Sequence, residues 1–294
     1  MIPCLSCYIS CLNELLNRLK QHSVFLLIQV KTSSMETDKN FDALADRFSK
    51  NIYGGLKGAI RLSVLRNEIH SAIGSRYASQ DNLTPLHVLD IGAGMAQLAI
   101  ELATDGHSVA INDLSEKMLT QAQQLAIDKG ISPNIQWLPG HYQDLANSLN
   151  QNFDLLLCHA LMEWLAQPNE LISGLKRFLK TDGLLSFTCY NKHSLIFRNL
   201  LKGNFRFIDK ADFRGEEGGL TPLHPQDPFE VKKLLEEQGW RIIKISGIRV
   251  FSDYAQTRGG NLNQETVLQY EMRFSELEPY KWLGRYVHFL CELM

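Results

Sequence analysis

One run constrains this chain more than any other: Leu86 to Ile91, an apolar stretch that ends in Asp90-Ile91-Gly92-Ala93-Gly94. The apolar residues predict a buried strand, and the two glycines predict a tight turn where backbone amides come close to a ligand. Beyond it the pattern alternates. Strands are expected at Leu86–Ile91, Ser108–Asp113, Ile135–Leu138, Phe153–Cys158 and Leu184–Cys189, with helices near 96–104, 115–129, 142–149 and 169–180 between them. Apolar strands separated by helices predict a parallel sheet covered on both faces, and right-handed crossovers make it a doubly wound, Rossmann-like α/β sheet.

Two helices precede this sheet. Phe41, Leu44, Ala45 and Phe48 keep helical spacing, and so do Ile60, Val64, Ile69 and Ile73 after the Tyr53-Gly54-Gly55 break. After Tyr190 the rhythm changes. Residues 191–224 form an insertion whose first part carries Lys192, Arg198, Lys202, Arg206 and Lys210 against Asp209, interleaved with Phe197, Phe205 and Phe207. A helix from Pro228 to Gln238, a strand over Trp240–Phe251, a helical stretch near 262–277 and a last strand over Tyr286–Leu293 follow, which predicts an antiparallel hairpin at the edge of an otherwise parallel sheet.

The formal charge is −2, so a nucleic-acid partner would have to be met by a local patch, and the 191–224 insertion is the best one. No stretch approaches the ~18 continuous apolar residues of a bilayer helix. Residues 1–34 differ from the rest: Cys4, Cys7 and Cys11 cluster there, and Met35 then opens a polar stretch. We read 1–34 as a leader, disordered or the product of an upstream start, and 35–294 as the working domain. No fourth Cys or His matches the spacing of the early cysteines, so no metal site is expected, and scattered cysteines in a chain of this length fit a reducing cytoplasm.

The glycine turn is followed by Asp113 at the end of the second strand, where a carboxylate accepts hydrogen bonds from both hydroxyls of a ribose. A dinucleotide fingerprint needs glycine at position 97, which is Gln97 here, and Asp90 is ill placed for a pyrophosphate. An acid there suits a cationic ligand, and S-adenosylmethionine has the sulfonium, the ammonium and the ribose but no phosphate. A plain capping role for Asp90 and Asp113 is the competing reading, and it leaves the glycine pair unexplained.

These residues resemble the class I S-adenosylmethionine-dependent methyltransferases. The similarity narrows to the bacterial tRNA 5-carboxymethoxyuridine methyltransferases on Asn40-Phe41-Asp42, Asn51-Ile52-Tyr53-Gly54, His159-Ala160 with Glu163-Trp164, Tyr190-Asn191-Lys192-His193, Arg249-Val250-Phe251 with Asp253-Tyr254, and Leu283-Gly284-Arg285-Tyr286. The resemblance implies methyl esterification of the carboxylate on 5-carboxymethoxyuridine at the tRNA wobble position, with the anticodon loop as partner. It implies cofactor contacts at Arg61, Gly92, Ala93, Asp113, Tyr142, Gln143 and His159. Ala93 stands where a third glycine is common and Tyr142 where a small residue is.

A carboxylate is already anionic at neutral pH, so no general base is required. Donors that hold it are expected from Tyr190, Asn191, His193, Arg249 and Tyr254, and Lys202 and Arg206 are expected to meet tRNA phosphates. Two other readings stay open: a methyltransferase for a small carboxylic or phenolic acceptor, and a cofactor-binding RNA module without turnover. A nicotinamide-dinucleotide oxidoreductase fits least.

Overall fold

The computed structural model describes residues 37–48, 54–77, 84–149, 151–215, 219–255 and 263–293. The 1–34 leader, the Met35 boundary, the early cysteines and the Asn51–Tyr53 part of the motif lie outside the described residues.

Seven strands form one sheet in the order β3-β2-β1-β4-β5-β7-β6. They are β1 (His87–Ile91), β2 (Ser108–Asp113), β3 (Ile135–Pro139), β4 (Phe153–His159), β5 (Leu179–Tyr190), β6 (Trp240–Ile248) and β7 (Tyr286–Leu293). β1 to β5 pair in parallel, as the alternating pattern predicts, and β7 runs antiparallel to both β5 and β6. The expected hairpin is therefore present at the sheet edge. Within it the reversed strand is the inner one, and β6 is outermost.

Both faces of the sheet are buried. Val88, Val109, Ile111, Leu155 and Leu157 point into one apolar cluster, while Leu89, Ile91, Ala110, Leu156 and Cys158 point into the other. This alternation along continuous apolar strands is the period-2 geometry of a pleated sheet. After the short α1 (Ala45–Phe48), the first cluster is covered by α2 (Gly55–Tyr77), α3 (Gln97–Thr104) and α4 (Glu116–Asp128), of which the long α2 buries Ile60, Val64, Leu65, Ile69 and Ile73 there. The second lies under α5 (Leu145–Ser148), α6 (Pro168–Leu175) and α9 (Pro228–Glu237), which bury Leu145, Leu171, Ile172, Val231 and Leu235.

Several boundaries differ from expectation, each for a local reason. The helix expected to reach position 180 stops at Leu175, because a 3-10 turn over Lys176–Phe178 feeds β5 five residues early at Leu179. The helical stretch near 142–149 is a 3-10 turn at Tyr142–Asp144 followed by the short α5. β6 ends at Ile248 and not Phe251, since Arg249 takes a left-handed φ of 63°. The turn after it is held by the buried Glu271 of α10 (Gln264–Phe274), whose carboxylate accepts the amides of Val250 (2.7 Å), Phe251 (3.2 Å) and Ser252 (2.7 Å).

The insertion leaves and rejoins the body at one place. Lys192 N–H donates to Gln226 O (2.8 Å) and Gln226 N–H to Tyr190 O (2.9 Å), so the excursion is pinned at its root. It carries α7 (Lys192–Leu201) and α8 (Phe205–Asp209). Asn191 anchors it: its side-chain oxygen accepts His193 N–H (2.9 Å) at the start of α7, and its amide donates to Trp282 O (2.7 Å) and Gly284 O (2.9 Å). Asn191→Ala removes the cap and leaves two carbonyls without this donor. It is expected to cost about 2–4 kcal/mol of stability by denaturant unfolding. A loss below about 0.5 kcal/mol, the range of an ordinary surface change, would contradict the anchoring role.

Candidate active site

The loops at the carboxyl ends of β1, β2, β3 and β4 surround one cavity, the place where doubly wound sheets bind ligands. Its floor is the turn after β1. Gly92 and Gly94 have φ of 65° and 57°, in the left-handed region that glycine enters without strain. A Cβ on Gly92 would also lie 2.8 Å from a methyl of the Leu161 side chain in the loop after β4, which would have to shift. Ala93 N–H donates to Asn112 O (2.9 Å), and Gly94 N–H donates to Asp113 Oδ2 (2.7 Å). The turn and the end of β2 are thus one hydrogen-bonded unit.

Two carboxyl groups face this space. Asp113 also accepts Ser115 N–H at Oδ1 (2.8 Å); burial pushes its pKa up, against the opposing pull of the Ser115 and Gly94 amides. Asp90 is 4% exposed and lines the cavity, yet accepts no hydrogen bond among the described residues. Burial, with the neighbouring Asp113 charge, pushes its pKa up to about 8. A carboxyl left in this state beside a second one is a site for a cation. The residues fit the S-adenosylmethionine expected from the sequence.

Arg61 of α2 reaches the wall with its guanidinium 4.6 Å from the Tyr286 ring centroid, a cation–π stack on a side chain that is 9% exposed. His159 ends β4 on the same wall, with Nε2 2.8 Å from Ser186 Oγ. Tyr142 lines the far side, its phenol pushed up to about 12 by burial. Arg61, Gly92, Ala93, Asp113, Tyr142 and His159 therefore surround one space. The Gln143 side chain does not join them: it is exposed and its amide donates to Asp38 Oδ2 (3.2 Å), while the neighbouring His141 lines the cavity.

The segment before α1 also lines the cavity, through Asp38, Lys39 and Phe41. Asp38 Oδ1 accepts Ala166 N–H (2.9 Å), Lys39 N–H donates to Trp164 O (3.0 Å), and Phe41 packs edge-on against Trp164 with ring centroids 4.9 Å apart. Asp42 accepts Ser115 Oγ (2.6 Å) and Lys117 N–H (3.1 Å) at the start of α4. Asp38, Phe41 and Trp164 were not singled out as cavity residues in the sequence. The polar-then-aromatic pattern of Asp38 to Phe41 carries no spacing signal, and only contact with the distant Trp164 assigns it.

The residues expected to hold an acceptor carboxylate are placed differently. Tyr190, Asn191, Arg249 and Tyr254 are not in the cavity wall; they form a buried polar knot at the root of the insertion. Asp253 accepts Arg249 and the Nε of Arg285 (2.7 Å), and Arg285 Nη1 donates to Tyr190 Oη (2.8 Å). Tyr254 Oη donates to Leu283 O (2.7 Å) and lies 2.6 Å from Ser194 Oγ. Most of these polar groups satisfy one another, which is what makes their burial tolerable, while Arg249 Nε makes no hydrogen bond among the described residues. Burial would raise Asp253, but the two guanidinium groups hold it below the usual carboxylate range. His193 is half-exposed beside Asp227 (2.9 Å), and Lys202 and Arg206 are exposed on the insertion with no ion pair among the described residues. Phe197 and Phe207 turn inward onto Tyr254 and Phe213, leaving Phe205, 60% exposed, as the one of the three aromatics open to a partner.

Among the described residues no group of His, Cys, Asp or Glu is placed to hold a metal ion, and no helix is long and apolar enough to cross a membrane.

A doubly wound sheet with this glycine elbow and paired acids defines a class I methyltransferase. Residues 88–183 match the family described as "Methyltransferase domain". The fold is shared with the magnesium protoporphyrin IX methyltransferase from Synechocystis PCC 6803 with bound SAH, at a TM-score of 0.54 and 17% identity over 86% of this chain and 96% of that one. The tRNA 5-carboxymethoxyuridine methyltransferase of Escherichia coli (strain K12) is 38% identical over 252 residues, 85% of this chain and 95% of that protein. The ubiquinone biosynthesis O-methyltransferase of Paracidovorax citrulli (strain AAC00-1) is 32% identical over 120 residues, 40% of this chain and 50% of its own length. The chain belongs to the tRNA 5-carboxymethoxyuridine methyltransferase family.

Asp90 sets a pH dependence of known sign. Its folded-state pKa lies above the ordinary carboxyl value, so its contribution to stability is present at low pH and is lost as pH rises toward about 8. Without cofactor, Asp90→Asn is expected to raise Tm at pH 8 and leave it little changed at pH 4, while weakening S-adenosylmethionine binding. An Asn variant that melts lower than the parent at pH 8 would contradict this.

Proposed function

We propose that this protein transfers the methyl group of S-adenosylmethionine to the carboxylate of 5-carboxymethoxyuridine at the wobble position of tRNA, giving the methyl ester. The observation that carries this reading is the extent of the 38% identity, which runs over 85% of this chain and 95% of the relative. The similarity to the ubiquinone biosynthesis O-methyltransferase covers 40% of the chain, which gives the small-acceptor reading less support.

The cofactor would supply an activated methyl group on a positively charged sulfur. Asp90 would sit against that positive charge, Asp113 would accept hydrogen bonds from the ribose hydroxyls, and Arg61 would pair with a carboxylate through its planar fork. The acceptor needs no base, because a carboxyl with a pKa near ~4 is ionised at neutral pH. The protein's task is then alignment of oxygen, carbon and sulfur, together with removal of water from the nucleophile. The Asp38–Phe41 segment and Trp164 would serve that exclusion from the cavity wall.

The RNA would be met by the insertion, where Lys202 and Arg206, without an ion pair among the described residues, offer charge beside the exposed Phe205, a combination that suits phosphates and an unstacked base of a loop. The compartment this reading implies is the cytoplasm. Incubation with tRNA from a strain lacking the methyl ester and labelled S-adenosylmethionine, followed by nucleoside mass spectrometry, is expected to show the ester on carboxymethoxyuridine. Label on no nucleoside would refute the proposal, and cofactor binding without any transfer would favour a non-catalytic RNA module. Replacing Lys202 and Arg206 together with alanine is expected to weaken tRNA binding and reduce the salt slope by roughly one to two. An unchanged slope would remove the insertion from the RNA interface.

A further inference from the structure

A line of polar side chains crosses the otherwise apolar face under α2 and ends at the cavity. Glu68 of α2 and His288 of β7 have side chains 1% and 0% exposed, with Oε2 and Nδ1 2.6 Å apart. His288 Nε2 is 2.8 Å from Ser186 Oγ of β5, and the same oxygen is 2.8 Å from His159 Nε2. Ser186 is fully buried. Apolar residues would fill these positions without the desolvation cost of a buried charge, so the line calls for a function.

The protons along it can be counted. Burial pushes Glu68 up, but the charge and hydrogen bond of His288 override this and hold it below its ordinary value, so it is a carboxylate and accepts only. His288 is in direct contact with that carboxylate; as the cation of a buried ion pair it would donate from both nitrogens, the form on which the proposal below rests. Its Nε2–H therefore goes to Ser186 Oγ, and the single proton of Ser186 goes to His159 Nε2. Burial, with the charges of His288 and Arg61, keeps His159 well below its usual pKa, so it is neutral. Its one proton is then on Nδ1. That nitrogen makes no hydrogen bond among the described residues and is not sealed in the core, and its ring lines the cavity.

We propose that Glu68, His288 and Ser186 are positioning residues that lock His159 in the Nδ1–H form, giving the cavity a neutral hydrogen-bond donor, near Arg61, for a carboxylate. That carboxylate belongs either to the methionine part of the cofactor or to the acceptor. The identity of the ligand rests on the methyl-transfer reading above; the proton position does not.

Nitrogen-15 NMR of the full chain, with His159 assigned through His159→Gln, reads the proton position directly. The expected result is a protonated, pyrrole-type Nδ1 and a bare Nε2; a bare Nδ1 overturns the proposal with no variant needed. In Ser186→Ala the His159 signals are expected to move toward a mixture of the two forms, and unchanged signals would show that the relay does not set them. Binding of S-adenosylmethionine and its decarboxylated analogue separates the two carboxylates. If the cofactor supplies it, Ser186→Ala weakens the first by about tenfold and spares the second. If the acceptor supplies it, both affinities hold and KM for tRNA rises about tenfold. No change in any of these overturns the proposal. Absence of transfer to tRNA by the unaltered protein, with the Nδ1 proton in place, would count against the methyl-transfer reading alone.

Discussion

Asp90 and Asp113 bring two carboxyl groups to the floor of one cavity, and much of the local architecture follows from accommodating them. Asp113 is offset by the amides of Gly94 and Ser115, which fixes the glycine turn to the end of β2. Asp90 receives no such help among the described residues, so in the free protein it holds a proton up to about pH 8. A ligand bearing positive charge would reverse that state. The site therefore selects for charge before it selects for shape, and that separates it from a pyrophosphate site, where backbone amides at a helix start meet an anion.

The side of the molecule that would face the acceptor is organised by a second set of buried charges. Asp253 joins Arg249 and Arg285, and Glu271 collects three consecutive amides of the turn after β6. Neither group reaches the cavity. Together they fix where β5, α7 and β7 meet, and so where the insertion leaves the body. Removing one member would strand a buried charge, and such changes would act on the whole acceptor side at once.

Much of this was legible in the sequence. Local signals carried the sheet: apolar runs gave the strands, the glycine pair gave the turn, and Asp113 followed at the next strand end. Arg61 and His159, expected on resemblance, fall on the cavity wall. The substrate-side residues were harder to read because a Tyr, Asn or Arg at the end of a strand has the same local pattern whether it faces a ligand or a buried partner. Tyr190, Asn191, Arg249 and Tyr254 meet buried partners, several of them far away in the chain. Glu68 and His288 are 220 residues apart, and no local pattern links them. One clue was available: Glu68 shares the α2 face of Arg61, Val64 and Leu65, where an unpaired acid would be costly.

The claim that a protonated acid at the cavity floor gives way to a bound cation is tested most directly by calorimetry of S-adenosylmethionine binding at pH 7 in two buffers with different ionisation enthalpies. The difference in heat gives the number of protons exchanged. Net release of protons to the buffer on binding is the predicted result. No exchange, or uptake of protons, would contradict the account.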